Sequence, residues 1–205
     1  MNTSSDCVDS VRPAAPSCFN PGSHPVPVSG DPSILDAADE ILEQGEVLLG
    51  WLRDEAYTAV VPVAYNATIG GHYRHCLDHF QSVLGGDHES LVNYDDRRRD
   101  PTIETDRFAA LNATRRLRAM LDELSGAGLG RRIRVICKAS YASCGSQRAE
   151  ATVGRELMYA VAHAVHHYAL IGTMANLLGV SLPEGFGVAP STLQHRRAMA
   201  FAARA

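Results

Sequence analysis

Several features are scarce in this chain, and each scarcity narrows what it can be. Its five cysteines (Cys7, Cys18, Cys76, Cys137 and Cys144) form an odd, irregularly spaced set with no Cys-x-x-Cys. That argues against a disulfide framework and against a zinc knuckle. No apolar run reaches the roughly 18 residues that a membrane span needs. The first residues also show no basic stretch followed by an apolar one, the pattern of a secretory signal. The expectation is a cytoplasmic protein with no membrane partner. Charge of one sign is not in excess either: 19 Lys and Arg stand against 23 Asp and Glu, a net charge of −4. That balance leaves no electrostatic footprint for nucleic acid. Two metal signatures are missing as well. Without His-Glu-x-x-His a zincin-type protease is disfavoured, and without Glu-x-x-His so is a carboxylate-rich di-iron bundle.

What is present is enough chain, 205 residues, for one substantial core. Residues 1–30 are rich in Pro, Ser, Asn and Gly and carry no periodicity, so they read as a disordered leader to a single domain over 31–205. The domain reads as four helices. The first opens at Asp31-Pro32, a cap followed by proline, and carries Ile34, Leu35, Ala38, Ile41, Leu42, Leu48, Leu49 and Leu52 on one stripe. The second starts near Asn66 or Thr68 and ends at Gly85-Gly86. The third spans about 106–124, with Ala110, Ala113, Leu117, Met120 and Leu124 inward. The fourth caps at Thr152, runs to Leu178 before Gly179, and is apolar nearly all round, which predicts that it is the most buried. Between the third and fourth, Ile133-Arg134-Val135-Ile136-Cys137 alternates as a strand does, and 148–152 is its expected hairpin partner across a Ser143-Cys144-Gly145-Ser146 turn. A short amphipathic helix is expected from Ser191. Residues 87–104 form a long charged connection, either a solvated crossover or a loop with a function.

Six of the nine histidines fall in two short windows. His163 and His167 are four apart in the fourth helix, and His75 and His79 repeat that spacing in the second. Residues four apart lie about 40° apart around a helix axis, so each pair can face one ion from one side. If the two helices are neighbours, up to four imidazoles converge. A catalytic metal takes three protein ligands and keeps an open position. His72 and His79 lie about 10 Å apart along the axis, too far for easy sharing of one ion. An all-imidazole site suits a divalent transition metal such as zinc, nickel, copper or ferrous iron. Cys76 sits on the apolar stripe and reads as packing.

At these residues the chain resembles the DinB/YfiT-like superfamily of metalloenzymes. The stretch Thr68-Ile69-Gly70-Gly71-His72-Tyr73-Arg74-His75 is similar to the start of that family's second helix, with its histidine at His75. The fourth-helix His-x-x-x-His is matched by His163 and His167. The resemblance covers about residues 33–195. It implies an all-α, up-down-down-up four-helix bundle with a three-histidine metal centre at His75, His163 and His167. It also implies thiol-dependent transferases or metal-dependent hydrolases as the class of activity. His72, His79 and His166 are additions to the family pattern and leave open a fourth ligand or a second ion.

Two functions compete. In the first, a metal-dependent enzyme acts on a small molecule such as a low-molecular-weight thiol. Tyr94, Asp95, Arg98 and Arg99 then line the mouth of the site, the arginines serving an anionic group. In the second, the bundle binds a metal or a small molecule without catalysis. A third, purely structural reading makes the histidines neutral core groups. A flank of the first or third helix is where two bundles could pair as a homodimer.

Overall fold

A computed structural model of the protein describes residues 33–85, 90–124, 126–142 and 144–203. The expected leader at 1–30, the Asp31-Pro32 cap, Gly86 and Ser143 lie outside them. Among the described residues there are seven helices: α1 (Ile34–Trp51), α2 (Asp54–Thr58), α3 (Ile69–Leu84), α4 (Pro101–Thr105), α5 (Arg107–Glu123), α6 (Val153–Leu177) and α7 (Pro190–Ala202). The four long ones that build the core start on side-chain caps. Thr68 accepts from Gly71 N at 2.9 Å, Asp106 from Phe108 N at 2.8 Å and Thr152 from Arg155 N at 3.2 Å. The first helix differs from expectation. Ser33 caps it in a reciprocal box with Asp36, so helical backbone begins at Ile34 and the proposed cap two residues earlier is corrected.

Contacts along the helices set their directions. Arg107 at the start of α5 donates to Leu49 O near the end of α1, whereas Arg118 forks onto Asp39 at 2.6 and 2.9 Å. Hence α5 runs against α1. On α6, His167 meets His72, His163 meets His75, and Tyr159 meets His79, so α6 runs against α3. Tyr168 donates to Ile41 O and Trp51 to Ser181 O, which makes α6 parallel to α1. The successive long helices α3 and α5 therefore point the same way, and the long connection between them carries the chain back.

Among its described residues that connection is not irregular. Leu91–Asn93 forms a strand, β1, which pairs in parallel with β2 (Arg132–Cys137), and β2 pairs antiparallel with β3 (Gln147–Thr152). The expected hairpin is present and gains a third strand, so the molecule is mostly helical with a small sheet rather than all-α. A three-residue strand has no alternation to read. It forms because β2 offers an edge, and Val92 turns inward from it.

The burial expected for α6 also needs correction. Leu157, Ala160, Ala164, Tyr168, Ile171, Met174 and Ala175 are buried, but Met158, Leu170 and Leu177 are exposed. The helix with the larger buried share is α3. Among the described residues no helix is long and apolar enough to cross a membrane.

Candidate metal centre

The histidines meet where α3 and α6 cross. The ligand atoms of His75, His163 and His167 all lie within 4.8 Å of one another, and they form the one such group of three among the described residues. His163 Nε2 and His75 Nε2 are 2.9 Å apart. Nitrogens bound tetrahedrally to zinc at about 2.0–2.1 Å stand about 3.4 Å from each other. The donor set therefore suits one divalent transition ion.

The three additional histidines divide in role. His72 places Nδ1 2.9 Å from His167 Nδ1. His79 is buried, its ring centre 4.1 Å from that of His163 and 4.9 Å from that of His75. His79 Nδ1 is buried with no hydrogen-bond partner among the described residues. A buried imidazole nitrogen in that state is costly, and it marks the cluster as one that protein hydrogen bonds alone do not satisfy. His166 is exposed, and its ring touches only the edge of the group.

Burial keeps these rings neutral, the form in which imidazole ligates. Loss of solvent is the largest cause for each, followed by the neighbouring arginines and the other imidazoles competing for a proton. His75 falls to about 4 with Arg97 the next cause, His167 to about 3 and His79 to about 2 with His163 next for both. His72 and His163 are lowered too. The consequence for stability has a definite sign. Unfolded, each histidine takes a proton near pH 6.5, whereas the folded rings refuse it, so the unfolded chain binds more protons below that pH. The metal-free protein should therefore melt at lower temperature at pH 5 than at pH 7. Each shielded ring contributes at most about 1.4 kcal/mol per pH unit, less what solvent screening removes. A calorimetric midpoint unchanged across that interval would contradict the shielding.

Beside His75, His79 and His163 opens a cavity of about 630 Å³. Its walls come from α3, the crossover, the sheet and the start of α6. Tyr94 is buried there and donates to Glu156 Oε2 at 2.8 Å, and burial raises its phenol far above the ordinary range. It is a neutral donor, not a base. Asp95 lines the rim, accepting from Ser146 Oγ and from Lys138 N, bonds that hold its carboxylate below the usual range. The other two expected mouth residues are elsewhere. Arg98 and Arg99 are exposed and outside the cavity lining, and Arg97 occupies the position foreseen for them. Tyr159, Arg155, Glu156 and Cys137 also line it. Of these, Glu156 and Tyr159 share a helix face with His163, the one signal that spacing offered.

Fold and site together define a helical bundle with a histidine group able to hold a metal ion at one edge of a cavity of about 630 Å³. The chain belongs to the DinB superfamily, whose family profile matches residues 28–171. It is also similar to FK506-binding protein 5 of Rhizopus delemar, 36% identical over 106 residues. That stretch is 52% of this chain and 28% of the fungal protein, so the chain spans under a third of the relative's length. No solved structure matches it.

Proposed function

We propose that the protein is a metal-dependent enzyme of the thiol-transferase or hydrolase kind, acting on a small molecule in the cytoplasm. The observation that carries this reading is the group of three neutral imidazoles, His75, His163 and His167, two of which border a cavity of about 630 Å³. A cavity of this size falls in the small-molecule range. Those three would hold a divalent zinc, nickel or iron ion, and the chemistry it would supply there is Lewis acidity toward a water or a thiol.

The remaining steps belong to side chains. Tyr94 holds the Glu156 carboxylate against the wall by its hydroxyl bond, leaving the other oxygen to Arg155 at 3.1 Å. Asp95 ties the crossover to the Ser146 turn and so keeps the cavity mouth in shape. Tyr159 and Tyr94 give it an aromatic side against which the apolar part of a substrate can lie. Cys76, Cys137 and Cys144 are free thiols, which goes with a reducing compartment.

A second reading, a binding module without catalysis, draws on His79. Its buried Nδ1 next to the group makes it a candidate to close the position that a substrate would need. Protein purified without a histidine tag separates the readings. The enzyme reading expects close to one equivalent of transition metal and, after cobalt substitution, a visible spectrum that changes when a small thiol is added. It also expects faster thiol transfer to an electrophile, or faster ester or amide hydrolysis, by the loaded than by the metal-free chain. Metal that binds with no response to thiols and no rate difference leaves only the binding module. No metal at all defeats both.

A further inference from the structure

The cavity holds an arginine that no described carboxylate meets in a hydrogen bond. Arg97 lines it alongside His75, His79 and His163, with only 17% of its side chain exposed. The crossover turns it inward. Asp95 N donates to Asn93 Oδ1 and Arg99 takes a left-handed φ of 46°, which throws Arg98 and Arg99 to solvent. Arg97 NH1 stops 3.4 Å from His79 Nε2, and its Nε is buried with no hydrogen-bond partner among the described residues. Three of the acids around it have closer partners, and Glu150, which also lines the cavity, is exposed. Asp78 stands 4.0 Å from Arg97 Nε but accepts at 2.8 Å from Arg74. Glu156 is taken by Tyr94 and Arg155, and Asp95 by Ser146 and the Lys138 backbone. The candidate ligand group contains no carboxylate, so nothing in it offsets a cation either.

A planar guanidinium with free donors in a shielded place is matched by a two-oxygen anion, which it can grip with parallel hydrogen bonds. Loss of solvent is the largest effect on Arg97 and lowers its affinity for its own proton, against the opposing pull of Asp78. We propose that Arg97 is the anchor for the oxyanion of a substrate that is a small acid, a carboxylate or a phosphate, lying in this cavity with its reacting end toward His75 and His163. The inference deepens the enzyme reading and rests on it for the reacting end, while anion binding itself rests on Arg97 alone.

The test titrates the full chain, metal-free and zinc-loaded, with succinate and separately with inorganic phosphate by calorimetry. Either anion should bind, and which one binds better identifies the group. Arg97→Gln should weaken that binding about 10- to 100-fold, the range for hydrogen bonds to charged groups, with zinc stoichiometry unchanged. Arg97→Lys, which keeps charge and loses the fork, should fall between. Arg116→Gln, the same charge change on the exposed face of α5, should bind as the unaltered protein does. In the unaltered protein one arginine Nε–H resonance should shift on titration, a readout that needs no variant to fold. Neither anion binding in the millimolar range, or binding unaffected in Arg97→Gln and Arg97→Lys, or no arginine resonance moving, overturns the proposal. Anion binding that requires zinc and ignores Arg97 overturns it while leaving the metal reading intact. Arg97-dependent binding to a chain that takes up no metal does the reverse.

Discussion

His163→Ala should cost the protein about two to three orders of magnitude in zinc affinity, since a four-ligand site worth about 10–16 kcal/mol divides into roughly 2.5–4 kcal/mol per ligand. His75→Ala and His167→Ala should match it, because the three nitrogens form one group. His72→Ala should behave differently. The 2.9 Å contact between His72 Nδ1 and His167 Nδ1 needs one proton between them. If His167 is the donor, its Nε2 keeps the lone pair that a metal requires, and His72 fixes that tautomer as acceptor. Removing such a partner costs about 10- to 100-fold in affinity, not a whole ligand's worth. His166→Ala, on an exposed ring, should change affinity little. Competition titration against a chromophoric chelator measures all five variants on one scale. If His163→Ala binds zinc as the unaltered chain does, the metal centre is wrong. If His72→Ala falls as far as His163→Ala, His72 is a ligand and not a partner to one.

The histidines show what spacing can and cannot reveal. Two pairs at i and i+4 place their rings on one face of each helix by geometry alone, and α3 and α6 do face each other with those sides. Caps were legible in part: Thr68 and Thr152 cap their helices as expected, whereas Ser33, not the expected Asp31-Pro32, caps the first. Register within the charged loop was not. Arg97, Arg98 and Arg99 are chemically equivalent as written. Only the turn at Asn93 and the left-handed backbone at Arg99 decide that Arg97 goes in. The exposed apolar side of α6 was invisible for a related reason. An apolar residue facing solvent has the same letter as one facing the core, and Met158 and Leu170 carry no mark of their environment.

Gly70→Ala should be the most destabilising single methyl added near the site, by about 3 kcal/mol, at the upper end for overpacking a tight interior. Gly70 lies in the first turn of α3, and a Cβ there would overlap the backbone carbonyl oxygen of Glu104 and come within 2.9 Å of Tyr57 Cε1. Neither neighbour can swing aside. The first is main chain in α4, and the second is a fully buried ring whose hydroxyl donates to Ile103 O at 2.6 Å. The strain must then move α4 off α3, pulling Glu104 from Arg74 and tilting the turn that carries His72 and His75. A loss of that size lowers the melting midpoint by about 6–12 °C in a domain of this length, and zinc affinity should fall with it. Gly50→Ala supplies the opposite sign. Nothing lies within 4 Å of a Cβ at Gly50, on an exposed face of α1, so alanine there should stabilise by up to about 1 kcal/mol through helix propensity. Thermal melts of the two metal-free variants beside the unaltered chain decide it. Equal midpoints for Gly70→Ala and the unaltered chain would mean that α3 and α4 do not meet as closely as described, and the approach that sets His72 and His75 would need another cause.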